Sequence, residues 1–205
     1  MDETDRVTQP TALPHPPALP RVAARPDPQE RTPRVREVVA AAARVLEAEG
    51  QEALTMQRLG SELGIRAPSL YKHVAGKAAV EGLLVTDTFF ALGDLGHRAV
   101  ERPGRSGPVA ALLRAYRRFA LERPHTYRLA SRPGVREHVQ PGVEVWTGEV
   151  FWRAMGEPYL AQALWAFAHG TATLEIDGRF LPGSDLDRTW RAGAQAFAGQ
   201  RSRTG

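Results

Sequence analysis

Apolar residues recur at helical spacing along most of this chain. Val35, Val38, Val39, Ala42, Val45 and Leu46 fall at i, i+3, i+4, i+7, i+10 and i+11, which predicts a helix with one buried face, opening at Pro33 and ending at Gly50. Leu59 and Leu63, one turn apart, predict a short second helix with Thr55 as its N-cap. Gly64 follows where the chain must turn, and Ile65 plugs the corner. Ala67, Leu70 and Val74 then repeat at i, i+3 and i+7 on a third helix, entered at Pro68, where a proline costs nothing because its missing N–H would be unpaired anyway. Ala78 to Val100 reads as a long fourth helix, stopped before Arg102, Pro103 and Gly104.

The second half continues in the same period. Val109, Leu112, Leu113, Tyr116, Phe119 and Ala120 predict an amphipathic helix cut at Arg123-Pro124, and a short helix from His125 to Ala130 is cut at Pro133-Gly134. A longer helix spans Val135 to Met155, kinked or restarted at Pro141-Gly142. The last two cover Pro158 to Phe180 and Ser184 to Ala198, with Ser184 or Asp185 as a cap. No βαβ alternation, fixed-period repeat or Walker loop interrupts them. The expected fold is all-α, with a three-helix head over 33–78 and a helical body over 79–205. Residues 1–32, crowded with prolines and poor in large apolar side chains, read as a disordered or polyproline-like tail.

The chemistry concentrates on the third helix. With Ala67, Leu70 and Val74 buried, its outer side presents Arg66, Ser69, Tyr71, Lys72 and His73, all hydrogen-bond donors, and no acid occurs from Gly64 to Lys77. Small side chains at Ala67, Pro68 and Ser69 permit close approach to base edges in a major groove. Gly76 and Lys77 bring free amides and an ammonium together, a combination that suits a phosphate.

From Val35 to about Phe90, and above all in LTMQRLGSELGIRAPSLYKHVAGKAAV, the chain resembles the N-terminal domain of the TetR family of bacterial transcription regulators. Carried over residue by residue, the resemblance implies phosphate contacts from Thr55, Ser69, Lys72, His73 and Lys77. It implies base-edge contacts from Arg66, Ala67, Pro68 and Tyr71. The stretch ALWAFAHGTATLEIDGRF, Ala163 to Phe180, resembles the C-terminal domain of a subgroup of that family marked by Trp and His-Gly. What the resemblance implies is a homodimer that binds a palindromic double-stranded DNA operator, represses by default, and releases DNA when a small-molecule effector fills the body. The alternative is a DNA-binding module of the same fold without an effector.

In the body, Phe119, Tyr127, Trp152, Trp165 and His169 are candidate walls of a ligand pocket. Leu160, Leu164, Leu186, Trp190 and Phe197 are candidates for a four-helix dimer face, although a stripe fits an internal partner as well as another chain. His169, Glu175 and Asp177 lie close in sequence, but six positions on a helix is about 240° of rotation, so the first two do not converge on a catalytic site unaided. No HExxH, GxSxG or CxxC motif stands behind an enzyme.

Composition adds bounds. A chain of 205 residues with 42% hydrophobic residues buries a real core, and a formal charge of +4 points mildly to a polyanion. The absence of cysteine excludes disulfides and thiolate metal sites. No cofactor or metal is expected, no apolar run approaches a membrane span, and a cytoplasmic location is expected.

Overall fold

The computed structural model describes residues 24–132 and 134–204. Among them the chain forms α1 (Pro33–Glu49), α2 (Met56–Glu62), α3 (Ala67–Leu70), α4 (Lys77–Glu101), α5 (Gly107–Glu122), α6 (Pro124–Ala130), α7 (Val143–Met155), α8 (Pro158–Ile176) and α9 (Leu186–Thr204), with two 3-10 turns and no strand.

The head follows from local signals. Thr32 caps α1 and Thr55 caps α2, their hydroxyls accepting from Val35 N (3.3 Å) and Arg58 N (3.1 Å). Val38, Val45, Leu46, Leu54, Leu59, Leu70 and Val80 fill one core. The α2–α3 corner depends on two glycines. Gly64 sits at φ +66, a conformation that favours glycine, and a Cβ on Gly60 would lie 2.8 Å from Ile65 O and 3.0 Å from Ala67 N. The third helix is shorter than its stripe suggests. It ends at Leu70, and turns carry Tyr71 to His73, with His73 N and Val74 N both donating to Leu70 O. Val74 still points into the core.

The 25 residues of α4 span about 37 Å at 1.5 Å each, which carries the chain from head to body. Its seam with α7 is close: the Trp146 ring lies over Gly93, where any Cβ would collide with it, and Thr147 Oγ1 donates to Phe89 O (2.8 Å). His97 takes a hydrogen bond from Arg153 on Nδ1 (2.8 Å), so its Nε2–H donates to Trp146 O (3.0 Å). The body has its own core, centred on Leu112, Leu113, Tyr116, Phe151, Met155 and Leu164. Head and body are not separable in packing, because Leu129 and Val135 of the body lie in the head's core.

Four expectations change. Of the helix expected over Val135–Met155, the restart at Pro141-Gly142 is present, with Gly142 at φ +82 before Val143, but the stretch ahead of it forms only a 3-10 turn at Arg136–His138. α8 stops at Ile176 and not Phe180, because Gly178 takes a left-handed φ of +62 and Arg179 N closes back on Leu174 O (2.9 Å). α9 begins at Leu186, with Asp185 accepting from Arg188 N (2.8 Å), and runs past Ala198 to Thr204. The proline-rich tail expected over 1–32 divides: 1–23 lies outside the described residues, while the stretch from Ala24 to Arg31 is extended but docked. Arg25 grips Asp94 through two nitrogens (2.9 and 3.1 Å) and lies over the rings of Phe90 and Trp146. Arg31 pairs with Asp87, and Gln140 bonds both Gln29 N and Asp27 O. Prolines deny this segment a helix, yet its polar groups find partners on α4 and before α7.

Candidate nucleic-acid interface and body cavity

On the head, the buried residues Leu59, Leu70 and Val74 hold α3 and its following turn against α1 and α2, which sets the outward side chains. Arg66, Pro68, Tyr71, Lys72, His73 and Lys77 are exposed there, Tyr71 to 56%. Ala67 and Ser69 are half-buried, so their contribution is backbone and hydroxyl. Thr55 is exposed, with its oxygen engaged in the α2 cap and its hydroxyl hydrogen left to donate. The charges sort themselves. Arg58 is tied to Glu49 and Glu62, and Arg44 also reaches Glu62, so those cations are neutralised within the head. Among the described residues no ion pair involves Arg66 or Lys72, and Lys77 meets Glu81 only at 3.9 Å. The face of α3 and the start of α4 therefore carry uncompensated positive charge.

The body holds a cavity of about 490 Å³ between α4, α5, α6, α7 and α8. Tyr127, Trp152, Trp165 and His169 line it, together with Tyr116, Phe89 and Phe151. Phe119 does not. It is packed in the body core with the Arg123 guanidinium 5.5 Å from its ring, and Tyr116, about one turn earlier on α5, holds the cavity position instead. Tyr116 was hidden in the sequence as one more member of a core stripe. The polar part of the wall is a relay: Tyr116 Oη lies 3.0 Å from Tyr127 Oη, which lies 2.6 Å from His169 Nδ1. Burial pushes Tyr116 well above the usual phenol range, pushes Tyr127 up to about 12, and holds His169 below the ordinary histidine value. His169, Glu175 and Asp177 go to three different partners. Glu175 takes Arg117 and the Trp190 indole, and Asp177 takes Arg128.

The candidate dimer residues also divide. Leu164 is fully buried and Trp190 is 5% exposed, both in the chain's own core, where Trp190 Nε1 donates to Glu175 Oε2 (2.8 Å). Leu160 and Phe197 pack partly against that core, and Leu186 is half-buried. The stripe is thus the inner face of α9, admitted by Gly193, over which the Phe167 ring lies. The outer faces of α8 and α9 instead present the exposed Ala163, Ala166, Leu174, Ala192 and Ala196, with Arg188 one turn before Ala192.

Two family models match. Residues 38–80 fit the tetR family of bacterial regulatory proteins, and 109–197 fit the Tetracyclin repressor-like C-terminal domain. Together they take in both halves of the structure, and the chain belongs to the TetR family. It is 33% identical over 94 residues to the HTH-type transcriptional regulator YobS of Bacillus subtilis, covering 45% of this chain and 49% of that one. It is 36% identical over 114 residues to the HTH-type transcriptional repressor DrrR1 of Streptomyces coeruleorubidus, covering 52% and 39%. The chain therefore spans less than half the length of these two relatives. Among solved structures, a Rhodococcus protein of unknown function matches at a TM-score of 0.70 and 25% identity, over 84% of this chain and 97% of that one. BioQ with its double-stranded DNA operator matches at 0.55 and 23%, over 82% and 96%. The family is one of bacterial regulatory proteins, and YobS and DrrR1 are transcription regulators, not enzymes. Among the described residues no helix is long and apolar enough to cross a membrane, and no cluster of metal-ligating side chains occurs.

Proposed function

We propose that this protein is a cytoplasmic, ligand-responsive transcription regulator that binds a palindromic operator as a homodimer and lets go of it when a small molecule fills the body cavity. The observation that carries the reading is the run of exposed donors on and after α3, Arg66, Tyr71, Lys72 and His73, over a rigid buried base. Arg66, Ala67, Pro68 and Tyr71 face base edges, while Thr55, Ser69, Lys72, His73 and Lys77 hold phosphates. A 33–78 head and a 79–205 body divide these tasks. The solved complex of BioQ with its operator supports a DNA target for this fold, and the name of DrrR1 supports repression as the default sign.

Two heads are needed for a two-fold site, and the outer faces of α8 and α9 supply the contact. Ala163, Ala166, Ala192 and Ala196 let two such helix pairs approach closely into four helices. Enrichment from a random pool of DNA duplexes tests the reading. A palindromic sequence should emerge from repeated rounds; a pool that stays random after them contradicts it.

A further inference from the structure

The strap from Ala24 to Arg31 lies along a seam on α4. Asp87, Phe90 and Asp94 fall at i, i+3 and i+7, so they share one face of that helix. Arg31 pairs with Asp87 at one end of the seam. At the other, Arg25 holds Asp94 through two nitrogens, with its guanidinium 4.7 Å from the Phe90 ring and 5.5 Å from that of Trp146 on α7. Between the two arginines the strap backbone is read by Gln140, a buried side chain whose amide donates to Asp27 O (2.8 Å) and accepts from Gln29 N (3.0 Å). Gln140 N in turn donates to Thr86 Oγ1 (3.0 Å), which ties this grip to α4.

A single exposed ion pair contributes little. Here one pair is two-pronged and lies over two rings, which strengthens it. Pro26 and Pro28 hold the chain extended before it docks, so docking costs little backbone freedom. The strap is covalently part of the head, since Thr32, the cap of α1, follows it directly. Its contacts, in contrast, reach Asp94 far along α4, the segment before α7, and Trp146 of the body. It is a second tie between head and body, beside α4 itself.

The head needs such a tie. Where α1 faces the α5–α6 corner, a cleft of about 860 Å³ opens, bounded by Val39, Ala40 and Ala43 of α1, Thr126 of the body, and Pro28 and Arg31 of the strap. Close packing fixes two elements in place, whereas small side chains around a cleft leave room to move. We infer that Ala24–Arg31 is a latch: docked, it holds α1 where it stands, and undocked, it frees the head to swing into the cleft. The seam shares a turn of α4 with the body cavity, because Thr88 and Phe89, which line that cavity, lie between Asp87 and Phe90. A displacement of this turn therefore moves the surface on which the latch sits.

The chain has no cysteine, so nitroxides on Gln57→Cys of α2 and Arg118→Cys of α5, both exposed positions, report the distance from head to body by electron spin resonance. Labelled chains are diluted into unlabelled ones, which keeps each distance within one chain. Hydrogen exchange at Gln29 N reports the strap. Wild type should give one narrow distance, with exchange at Gln29 about ten-fold or more slower than in a free peptide. Arg25→Asp should bring Gln29 to the free rate and broaden or shift the distance. The exchanged pair, Arg25→Asp with Asp94→Arg, should restore both. An unchanged distance in a protein whose Gln29 exchanges freely overturns the latch, as does an exchanged pair that restores neither reading. A Gln29 unprotected in wild type, or still protected in Arg25→Asp, overturns it as well. Should Arg25→Asp not fold, Arg25→Gln, which removes the charge without adding another, is judged by the same two readings. Neither reading uses DNA or a ligand, so failure of the latch and failure of the operator reading are told apart.

Discussion

Glu47, near the end of α1 in the head, accepts backbone hydrogen bonds from Thr126 N (2.7 Å) and His125 N (3.4 Å) at the start of α6 in the body. Those amides belong to the unpaired first turn of α6, so a head carboxylate caps a body helix and meets the positive end of its dipole. α6 in turn supplies Tyr127 to the cavity and Leu129 to the head core. With the cavity as the proposed effector site, this joint is the route by which filling it would reach the DNA-binding head.

Glu47→Ala should therefore destabilise the protein by about 1–2 kcal/mol, the usual cost of losing a cap. It should also blunt effector-induced operator release while ligand-free operator affinity changes little. A thermal melt alongside an anisotropy titration with and without ligand checks both; an unchanged effector response assigns Glu47 to stability alone.

Affinity and specificity should divide within the head. Lys77→Ala is expected to weaken binding to operator and scrambled duplex alike and to flatten the salt dependence, because a phosphate contact carries no sequence information. Arg66→Ala or Tyr71→Ala should change preference among operator variants, at about 1–3 kcal/mol per good base contact. A selective loss of one operator on Lys77→Ala would reverse these roles.

Gly60→Ala places a methyl 2.8 Å from Ile65 O and 3.0 Å from Ala67 N, backbone atoms that cannot swing aside. Overpacking of this kind costs about 1–3 kcal/mol. The prediction is a lowered Tm with disproportionate loss of operator binding, since the strain falls on the entry to α3. A variant with wild-type Tm and affinity would show that the corner yields.

The two faces of the α8–α9 pair should respond differently to charge. Trp190→Glu puts a carboxylate into the chain's own core, beside Glu175, and should unfold the body. Ala166→Glu or Ala196→Glu, on the outer face, should leave a folded, helical monomer that has lost the operator. Light scattering with circular dichroism separates these outcomes, and a dimeric Ala166→Glu would move the interface elsewhere.

Much of this molecule was legible in its sequence, and the exceptions share a cause. Thr55, Gly64 and the Leu59, Leu70 and Val74 positions specify the head, because caps, turns and short-range stripes are local physics. An apolar stripe says that a helix has an inner face without saying what lies against it. On the sequence alone Trp190 and Leu164 fit a partner chain as well as their own core, which they serve, and Phe119 fits a cavity that Tyr116 lines instead. The helix ends at Leu70 and Ile176 depend on turns and on a glycine that a hydrophobic period does not register. The docking of Arg25 on Asp94, and Glu47 on α6, are pairings across 69 and 79 positions at most, beyond the reach of any pattern along the chain.

The most direct test of the account is the stoichiometry and footprint of the protein on the duplex it selects. Native mass spectrometry should give two chains, or a multiple of two, per site, and hydroxyl-radical footprinting should show two protected half-sites related by a two-fold axis and separated by whole helical turns, about 34–36 Å each. Arg66→Ala should weaken that protection at a given protein concentration. A single chain on an asymmetric footprint, or protection unaltered by Arg66→Ala, would contradict the claim that paired heads read DNA through α3.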